Sequence, residues 1–253
     1  NWVDAVMQDS LFGSAGKNIL IEECLFGTEL SFMGILTPKE FIPFETSVDY
    51  KPLLDGNNGP NTGGMGCISP SPFMNDELKN TVMQKVVKPT IDGLNKLGIH
   101  YYGFMYFGLM VKDNNPKVLE FNCRLGDPET QCLMMQMESD LVDCLTDALK
   151  NNKVTINWKK GASMGVVIAS DGYPGRYTIN KQISFGDTKN LKVFHAGTKS
   201  TNGVLQTSGG RVFSVNYHGE TLDLCSKYIY KNIEEVQFDG NIYRKDIGKI
   251  YES

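Results

Sequence analysis

The stretch that most constrains the fold is residues 117–129, Lys-Val-Leu-Glu-Phe-Asn-Cys-Arg-Leu-Gly-Asp-Pro-Glu. Its first half, Lys117–Asn122, is rich in β-prone apolar residues and predicts a short strand. Because side chains alternate along a strand, three polar groups are expected on one common face: Glu120, Asn122 and Arg124. The second half, Gly126–Glu129, predicts a tight turn that keeps Asp127 and Glu129 beside that face.

This crowding of polar groups indicates a site for a metal ion and an anion. A carboxylate and an amide oxygen two residues apart suit Mg²⁺, which takes one or two protein oxygens and completes its shell with water and phosphate. Arg124 has the planar fork of donors that grips an anionic oxygen. An edge strand with a solvated polar face fits the Glu-x-Asn pattern as well, and only the turn with its two further acids favours the ion site.

Composition narrows the class of protein. The 253 residues suffice for one large or two ordinary domains, and no stretch has the apolar length of a membrane span. A formal charge of −4 argues against general binding of nucleic acid or anionic membranes and favours small-molecule partners. The six cysteines lack CxxC spacing, which makes a zinc site improbable and fits reduced thiols in a cytoplasmic protein.

The first part of the chain predicts strands around a candidate nucleotide segment. The apolar runs Asn18–Leu25, Glu29–Leu36 and Phe41–Phe44 have strand length, and Thr37–Glu40 suits a hairpin connection between the last two. If Glu22–Leu25 crosses between two lobes, its backbone can bond an adenine edge while Glu29 reaches a ribose. A meander with exposed acids accounts for the same residues.

A glycine-rich segment follows at residues 55–66, where five of the twelve residues are glycine. Such a backbone can adopt positive φ angles and present its N–H groups to an anion. A flexible loop tip is the other interpretation, although Pro60 and Met65 indicate a loop that packs against another part of the protein.

The remaining chain predicts further elements and a boundary. A helix is expected from Asn75 or Asp76 through Asp92, a strand over Tyr101–Val111, and one helix from Pro128 through Leu149. The polar stretch 151–161 predicts a domain boundary, followed by short glycine-punctuated strands and a helix over Thr221–Glu234. Arg211 follows Gly209-Gly210 and is expected near the cleft of the first domain, whereas Arg244–Gly248 reads as a surface salt-bridge segment.

Several motifs together resemble the phosphoribosylamine–glycine ligase family, ATP-grasp enzymes of purine biosynthesis. The resemblance begins with residues 59–66 (GPNTGGMG) and 120–129 (EFNCRLGDPE), and it spans essentially the whole chain. It continues through four more segments: 172–175 (GYPG), 194–198 (FHAGT), 209–212 (GGRV) and 243–248 (YRKDIG).

The resemblance implies a fold and a reaction. The fold class is α+β, with the end of a small ATP-grasp lobe at residues 1–24, a large lobe of antiparallel sheet and helices at 25–157, and a small mixed α/β C-terminal domain at 158–253. The reaction joins glycine to 5-phosphoribosylamine with ATP and Mg²⁺ or Mn²⁺, through a glycyl phosphate. The implied protein is cytoplasmic and, as the favoured state, a monomer.

The same resemblance assigns roles to residues. ATP contacts fall on Glu22, Glu23, Leu25 and Glu29, and the metal falls on Glu120 and Asn122. The substrate pocket comprises Asp49, Lys51, Gly63, Gly64 and Met65. Arg124 and Asp127 are the catalytic candidates, with Arg124 on the transferred phosphate or the glycine carboxylate; Asp127 and Glu129 are expected mainly to hold Arg124 and the turn.

Two departures and two alternatives accompany these expectations. Family members carry Asp-His-Lys-Arg where this chain has Asp49–Pro52, and Tyr106–Leu109 lacks the metal-binding carboxylate that many ATP-grasp enzymes place there. The beginning of the chain looks like the interior of an amphipathic helix and predicts that its first part is missing. The resemblance implies that this part held an N-terminal substrate-binding domain and most of the small lobe, so that this chain alone is inactive. Another ATP-grasp carboxylate–amine ligase and a non-catalytic nucleotide-binding remnant remain as alternative functions.

Overall fold

The computed structural model describes residues 2–7, 13–188 and 190–250, and in these residues it has two larger antiparallel sheets, three two-stranded sheets and packed helices. Residue 1 and residues 8–12 of the predicted first unit (1–24) lie outside the described residues. The helices are α1 Trp2–Met7, α2 Asp76–Val82, α3 Lys88–Lys96, α4 Glu129–Gln136, α5 Leu141–Leu149 and α6 Leu222–Asn232. The strands are β1 Thr28–Leu36, β2 Phe41–Pro43, β3 Val48–Asp49, β4 Pro52–Leu54, β5 Asn58–Asn61, β6 Gly66–Ser69, β7 Gly103–Lys112, β8 Asn115–Asn122, β9 Ala162–Ser170, β10 Ile183–Phe185, β11 Lys192–His195, β12 Thr198–Thr201, β13 Val204–Thr207, β14 Arg211–Gly219, β15 Val236–Phe238 and β16 Asn241–Ile242. The two-stranded sheets are β4-β5, β10-β15 and β12-β13.

The first sheet has the order β2-β1-β7-β8 and carries the residues that matter most below. On one face Phe32 and Phe107 pack with Leu78 and Val82 of α2. On the other face Met33 packs near Leu133 and Cys144 of α4 and α5, but only toward one end of the sheet. The remaining end of that face is open and polar.

The second sheet has the order β11-β14-β9-β6-β3, with β16 also paired to β9. Its core includes Val166, Phe213 and Val215 from the strands and Ile229 from α6. Because β9 pairs with β6, strands from residues 48–69 and 162–219 share one sheet, and the glycine-rich segment lies against the C-terminal part of the chain.

Much of the predicted local structure is confirmed. The runs at 29–36 and 41–44 form the hairpin β1–β2, and β7 and β8 form the expected antiparallel pair. Asn75 caps α2, because its Oδ1 accepts from the Leu78 N–H at 2.8 Å. The helical stretch continues to Lys96 through a π-helical turn at Met83–Val87. The α+β class with an antiparallel sheet is therefore correct.

Two predicted elements are wrong in form. Asn18–Leu25 is not a strand, and Leu20 and Ile21 are 81% and 83% exposed. The helix expected from Pro128 to Leu149 is two helices, because the chain turns at Met137 and Asp140 caps the second, accepting from the Val142 N–H at 2.8 Å. A continuous apolar period cannot reveal such an interruption.

The expectation of a surface salt bridge at Arg244 is also wrong. Arg244 is 1% exposed, and it pairs with Asp246 in a bidentate manner, with both N···O distances at 2.7 Å. Its guanidinium lies over the ring of Tyr50 and donates to the carbonyl of Pro52 at 3.0 Å. Tyr50 and Pro52, the two positions at which the chain departs from the family pattern, thus both contact Arg244 near the C-terminus.

None of the helices within the described residues combines the length and hydrophobicity needed to cross a membrane.

Candidate active site

A β-bulge in β8 decides which side chains reach the open polar face. Leu109 pairs with Val118, whereas Gly108 pairs with Glu120, so Leu119 is an extra residue between them. The extra residue shifts the alternation of the strand by one position. As a result three polar residues of β8 lie on one face, opposite alternate residues of β7: Lys117, Glu120 and Asn122 pair with Met110, Gly108 and Tyr106.

Glu120 and Asn122 therefore stand next to one another on the face, as predicted. A side chain at Gly108 would leave no room for this arrangement, because a Cβ there would lie 2.9 Å from Cγ of Glu120. No group of three or more histidine, cysteine or acidic residues suited to a metal occurs in the described ranges. A carboxylate with a neighbouring amide oxygen fits Mg²⁺, which tolerates few protein ligands when phosphate and water supply the others.

Beside this pair lies a group of acids around one lysine. Nζ of Lys51 lies 2.7 Å from Oδ2 of Asp49 and 3.8 Å from Oε1 of Glu29. Oγ of Ser31 donates to Oε1 of the buried Glu129 at 2.9 Å. Thus β1, β3 and the start of α4 bring three carboxylates to one place, with Lys51 as their cation.

Burial and repulsion between neighbouring carboxylates raise the pKa of two of these acids, Asp49 and Glu29. Burial, reinforced by the charge of Glu129, raises the pKa of Asp49 to about 8 despite the opposing effect of Lys51. Oδ1 of Asp49 is buried without a hydrogen-bond partner among the described residues. Burial also raises the pKa of Glu29, against the lowering effect of Lys51 and with a further raising effect of Glu120. Such perturbation is typical of functional sites.

The glycine-rich loop closes one side of this acidic group. Gly64 has φ +113°, and a Cβ on it would lie 2.4 Å from Cδ of Pro128 and 2.5 Å from Oδ1 of Asp49. Gly63 is exposed, whereas the side chain of Met65 is fully buried. Of the three predicted pocket residues that lie in this loop, Gly63 therefore offers exposed backbone, Gly64 packs on Asp49, and the side chain of Met65 is buried in the core.

The turn after β8 differs from expectation in its partners. The strand ends at Asn122, so Arg124 belongs to the turn, where its Nη1 donates to the carbonyl of Leu125 at 3.0 Å. Asp127 is held by Arg211, with an Nη2···Oδ2 distance of 3.0 Å, rather than by Arg124. Arg124 is exposed at the edge of the site.

The candidate nucleotide segment lines a separate cavity of about 330 Å³ at the other end of the polar face. Glu23 and Leu25 border it, and a carboxylate oxygen of Glu23 lies 2.8 Å from Nζ of Lys117. Glu22 is exposed beside this cavity, and Glu29 lines the adjoining one with Asp49 and Lys51. The polar face thus connects the predicted nucleotide segment with the predicted substrate corner.

Several site residues were not identified from the sequence. Oγ of Ser31 lies 3.0 Å from the hydroxyl of Tyr106, and both belong to strands that read as ordinary apolar segments. Lys117 was assigned to the strand but not to the site face, because simple alternation places its side chain on the other face of the sheet from Glu120. Arg211, by contrast, was expected near the cleft because it follows two glycines, and it contacts Gly63 and Asp127.

Two family models match the chain. The phosphoribosylglycinamide synthetase ATP-grasp (A) domain matches residues 1–130, and the phosphoribosylglycinamide synthetase C domain matches residues 163–250. These two ranges include both sheets and the residues of the candidate site.

Two of the proteins similar to this chain are phosphoribosylamine–glycine ligases. A phosphoribosylamine–glycine ligase of Clostridium acetobutylicum is 44% identical over 249 residues, which are 98% of this chain and 60% of that protein. One of Yersinia pestis is 44% identical over 253 residues, covering 97% of this chain and 59% of its own length. The chain therefore spans about three fifths of the length of these relatives.

Solved structures give a consistent result. The crystal structure of a phosphoribosylamine–glycine ligase from Thermotoga maritima superposes with a TM-score of 0.83 at 35% identity, covering 89% of this chain and 57% of that one. The biotin carboxylase domain of a thermophilic 2-oxoglutarate carboxylase gives a TM-score of 0.63 at 14% identity, covering 95% of this chain and 54% of its own. The second likeness concerns the fold alone.

Proposed function

The chain belongs to the phosphoribosylglycinamide synthetase family, and on that premise we propose that it carries the catalytic centre of a cytoplasmic ligase that joins glycine to 5-phosphoribosylamine at the expense of ATP. In this reaction the glycine carboxylate attacks the γ-phosphorus and releases ADP. The amine of phosphoribosylamine then attacks the carbonyl of the acyl phosphate, forms the amide and releases phosphate. The observation that carries the proposal is the placement of Glu120 and Asn122 on one face, beside the acidic group around Lys51.

The polar face suits a nucleotide that runs along it. We assign the adenine to the backbone of Glu22–Leu25 and the ribose to Glu29, which lines the cavity next to Lys51. Glu23 and Lys117 form the ion pair at the rim of the adenine cavity. Glu120 and Asn122 would hold Mg²⁺ or Mn²⁺, which would supply positive charge against the charge that accumulates on the phosphates during phosphoryl transfer.

We place glycine at the corner formed by Asp49, Lys51, Gly63 and Gly64. Lys51 supplies a cation for the carboxylate of the substrate, and Asp49 keeps Lys51 in place through the 2.7 Å contact. Met65 anchors the loop from within the core, since its N–H donates to the carbonyl of Tyr50 at 2.9 Å. Phosphoryl transfer depends mainly on such positioning and electrostatics.

Arg124 and Asp127 complete the assignment. Arg124 is exposed at the end of the metal strand. We assign its guanidinium to an anionic group of the substrate, which it would reach by rotation of the exposed side chain. Asp127 acts through the turn that it shares with Pro128, because its carboxylate is already engaged by Arg211.

The test uses Glu120→Gln in a longer polypeptide that also contains the region that the relatives have beyond this chain. The substitution removes the carboxylate charge while keeping size and shape, so glycine-dependent ADP release should fall on the order of 10³-fold. Glu220→Gln is the matched control, because Glu220 is exposed in the second part of the chain. Turnover of Glu120→Gln equal to that of the parent protein would refute the metal assignment and favour a non-catalytic remnant.

Substrate identity is tested in the same coupled assay. Replacing glycine by alanine, serine or glutamate should abolish ADP release, whereas turnover with another amino acid in place of glycine would indicate a different carboxylate–amine ligase. We also expect this chain without the additional region to release no ADP. Glycine-dependent release from the chain alone would contradict that expectation.

A further inference from the structure

Gly63, at the exposed tip of the glycine-rich loop, is held on both of its backbone groups by the C-terminal part of the chain. Its N–H donates to the hydroxyl of Tyr173 at 3.0 Å. Its carbonyl accepts from Nη1 of Arg211 at 2.7 Å. Residues 110 and 148 positions away thus fix the single exposed glycine of the predicted substrate corner.

The same guanidinium also holds the turn that follows the metal strand. Nη1 of Arg211 lies 2.8 Å from the carbonyl of Asp127, and Nη2 lies 3.0 Å from its Oδ2. The carbonyl of Gly64 lies at 3.4 Å from Nη1. One planar group therefore joins the loop that borders Asp49 to the turn that contains Pro128.

The glycine-rich loop, Arg211 and the turn at Pro128 are closely packed. A Cβ at Gly63 would lie 3.0 Å from Cζ of Arg211, and a Cβ at Gly64 would lie 2.4 Å from Cδ of Pro128. The Arg211 side chain is only 21% exposed. Both Nη atoms thus have close protein acceptors on the loop and on the turn, an arrangement that suits a side chain that orients the site.

From these contacts we propose that Arg211, assisted by Tyr173, is a positioning residue that sets the distance between the glycine-rich loop and the turn after the metal strand. Its effect on catalysis rests on the proposed ligase function, but its effect on the loop does not. Lysine cannot replace it, because one ammonium cannot span the carbonyls of Gly63 and Asp127 and the Asp127 carboxylate with the planar geometry of a guanidinium.

The test compares Arg211→Lys and Tyr173→Phe with Arg176→Lys, an exposed arginine of the same part of the chain. In the longer polypeptide, Arg211→Lys should raise the KM for glycine 10- to 100-fold while the KM for ATP changes less than about twofold, since misplacement by about 1 Å has effects of this size. Hydrogen exchange followed by mass spectrometry should accelerate in peptides covering 61–66 and 126–130. Arg176→Lys should change neither readout.

Tyr173→Phe keeps the proposal falsifiable if Arg211→Lys fails to fold. This change removes only the acceptor of the Gly63 N–H, so exchange should accelerate at 61–66 and leave 126–130 unchanged. Unchanged exchange at 61–66 in the folded variants would overturn the proposal, as would a loss of kcat with an unchanged KM for glycine. If the parent protein shows no turnover, the ligase function fails, and the exchange measurement alone decides the positioning role.

Discussion

Replacing Gly64 by alanine should destabilise the protein by about 1–6 kcal/mol, the sum of a backbone cost and an overpacking cost less an entropic offset. The residue has φ +113°, where a non-glycine backbone costs about 1–3 kcal/mol. The new Cβ would also lie 2.4 Å from Cδ of Pro128 and 2.5 Å from Oδ1 of Asp49. Neither atom can retreat easily, because the proline ring is rigid and Asp49 is bound to Lys51, so overpacking adds about 1–3 kcal/mol. A lower entropy of the unfolded chain offsets about 0.4–1 kcal/mol.

The assay is urea denaturation at constant pH, with stability taken from the midpoint at an unchanged m-value. Two other glycines separate the contributions, because a Cβ at either would meet no atom within 4 Å. Gly98→Ala, at φ +70°, measures the backbone cost alone and should destabilise by about 1 kcal/mol. Gly93→Ala, inside α3, should stabilise by about 0.5–1 kcal/mol. A loss at Gly64 no larger than the loss at Gly98 would refute the close packing of the loop against Pro128 and Asp49.

Three further outcomes are expected. The pKa of Asp49 is raised from 3.8 to about 8, so between these pH values the folded protein keeps a proton that the unfolded chain has lost. The stabilisation from this proton is fully present below pH 3.8 and is lost as the pH rises through about 8. Asp49→Asn should therefore flatten the fall of urea stability between pH 5 and 8, and a variant whose stability falls as steeply as that of the parent protein would contradict the assignment. Tyr50→Phe removes the hydroxyl that accepts from the Gly248 N–H at 3.2 Å and donates to the Lys249 carbonyl at 2.9 Å. The free energy of unfolding in urea should therefore fall by about 1–2 kcal/mol, and a fall below about 0.5 kcal/mol would show that these bonds contribute little. ATP should raise the melting temperature of the longer polypeptide more in Mg²⁺ than in EDTA, and Glu120→Gln should remove most of that difference; equal shifts in both buffers would argue against a metal at Glu120.

Local patterns predicted the elements that build the site. The β-prone run at 117–122 indicated its strand, Asn75 indicated the start of its helix, and the glycine content of 55–66 indicated a backbone free to approach other groups. These signals succeed because they depend on residues within a few positions of one another. Alternation along the predicted strand also assigned Glu120 and Asn122 to one face, and the same segments carried the family motifs.

The same patterns could not show how β8 actually presents those residues. Strict alternation placed the side chains of Lys117 and Glu120 on different faces of the sheet, whereas the bulge at Leu119 brings both to the same face. The bulge follows from how β8 pairs with β7, and a single strand read alone does not contain that pairing. The exposed run at 18–25 was misread for the same reason, since an apolar segment becomes a strand only where a partner supplies its hydrogen bonds.

The residues by themselves determined the kinds of group available: hard oxygens on a strand, a loop of glycines, and a lysine among acids. Only the tertiary structure decided which of them meet. Arg211 reaches Asp127 across 84 positions and Gly63 across 148, and Arg244 is buried against Tyr50 instead of lying on the surface. Contacts of this kind arise when separate sheets and loops pack together, so no local spacing records them, and the arrangement of the site depends on that packing.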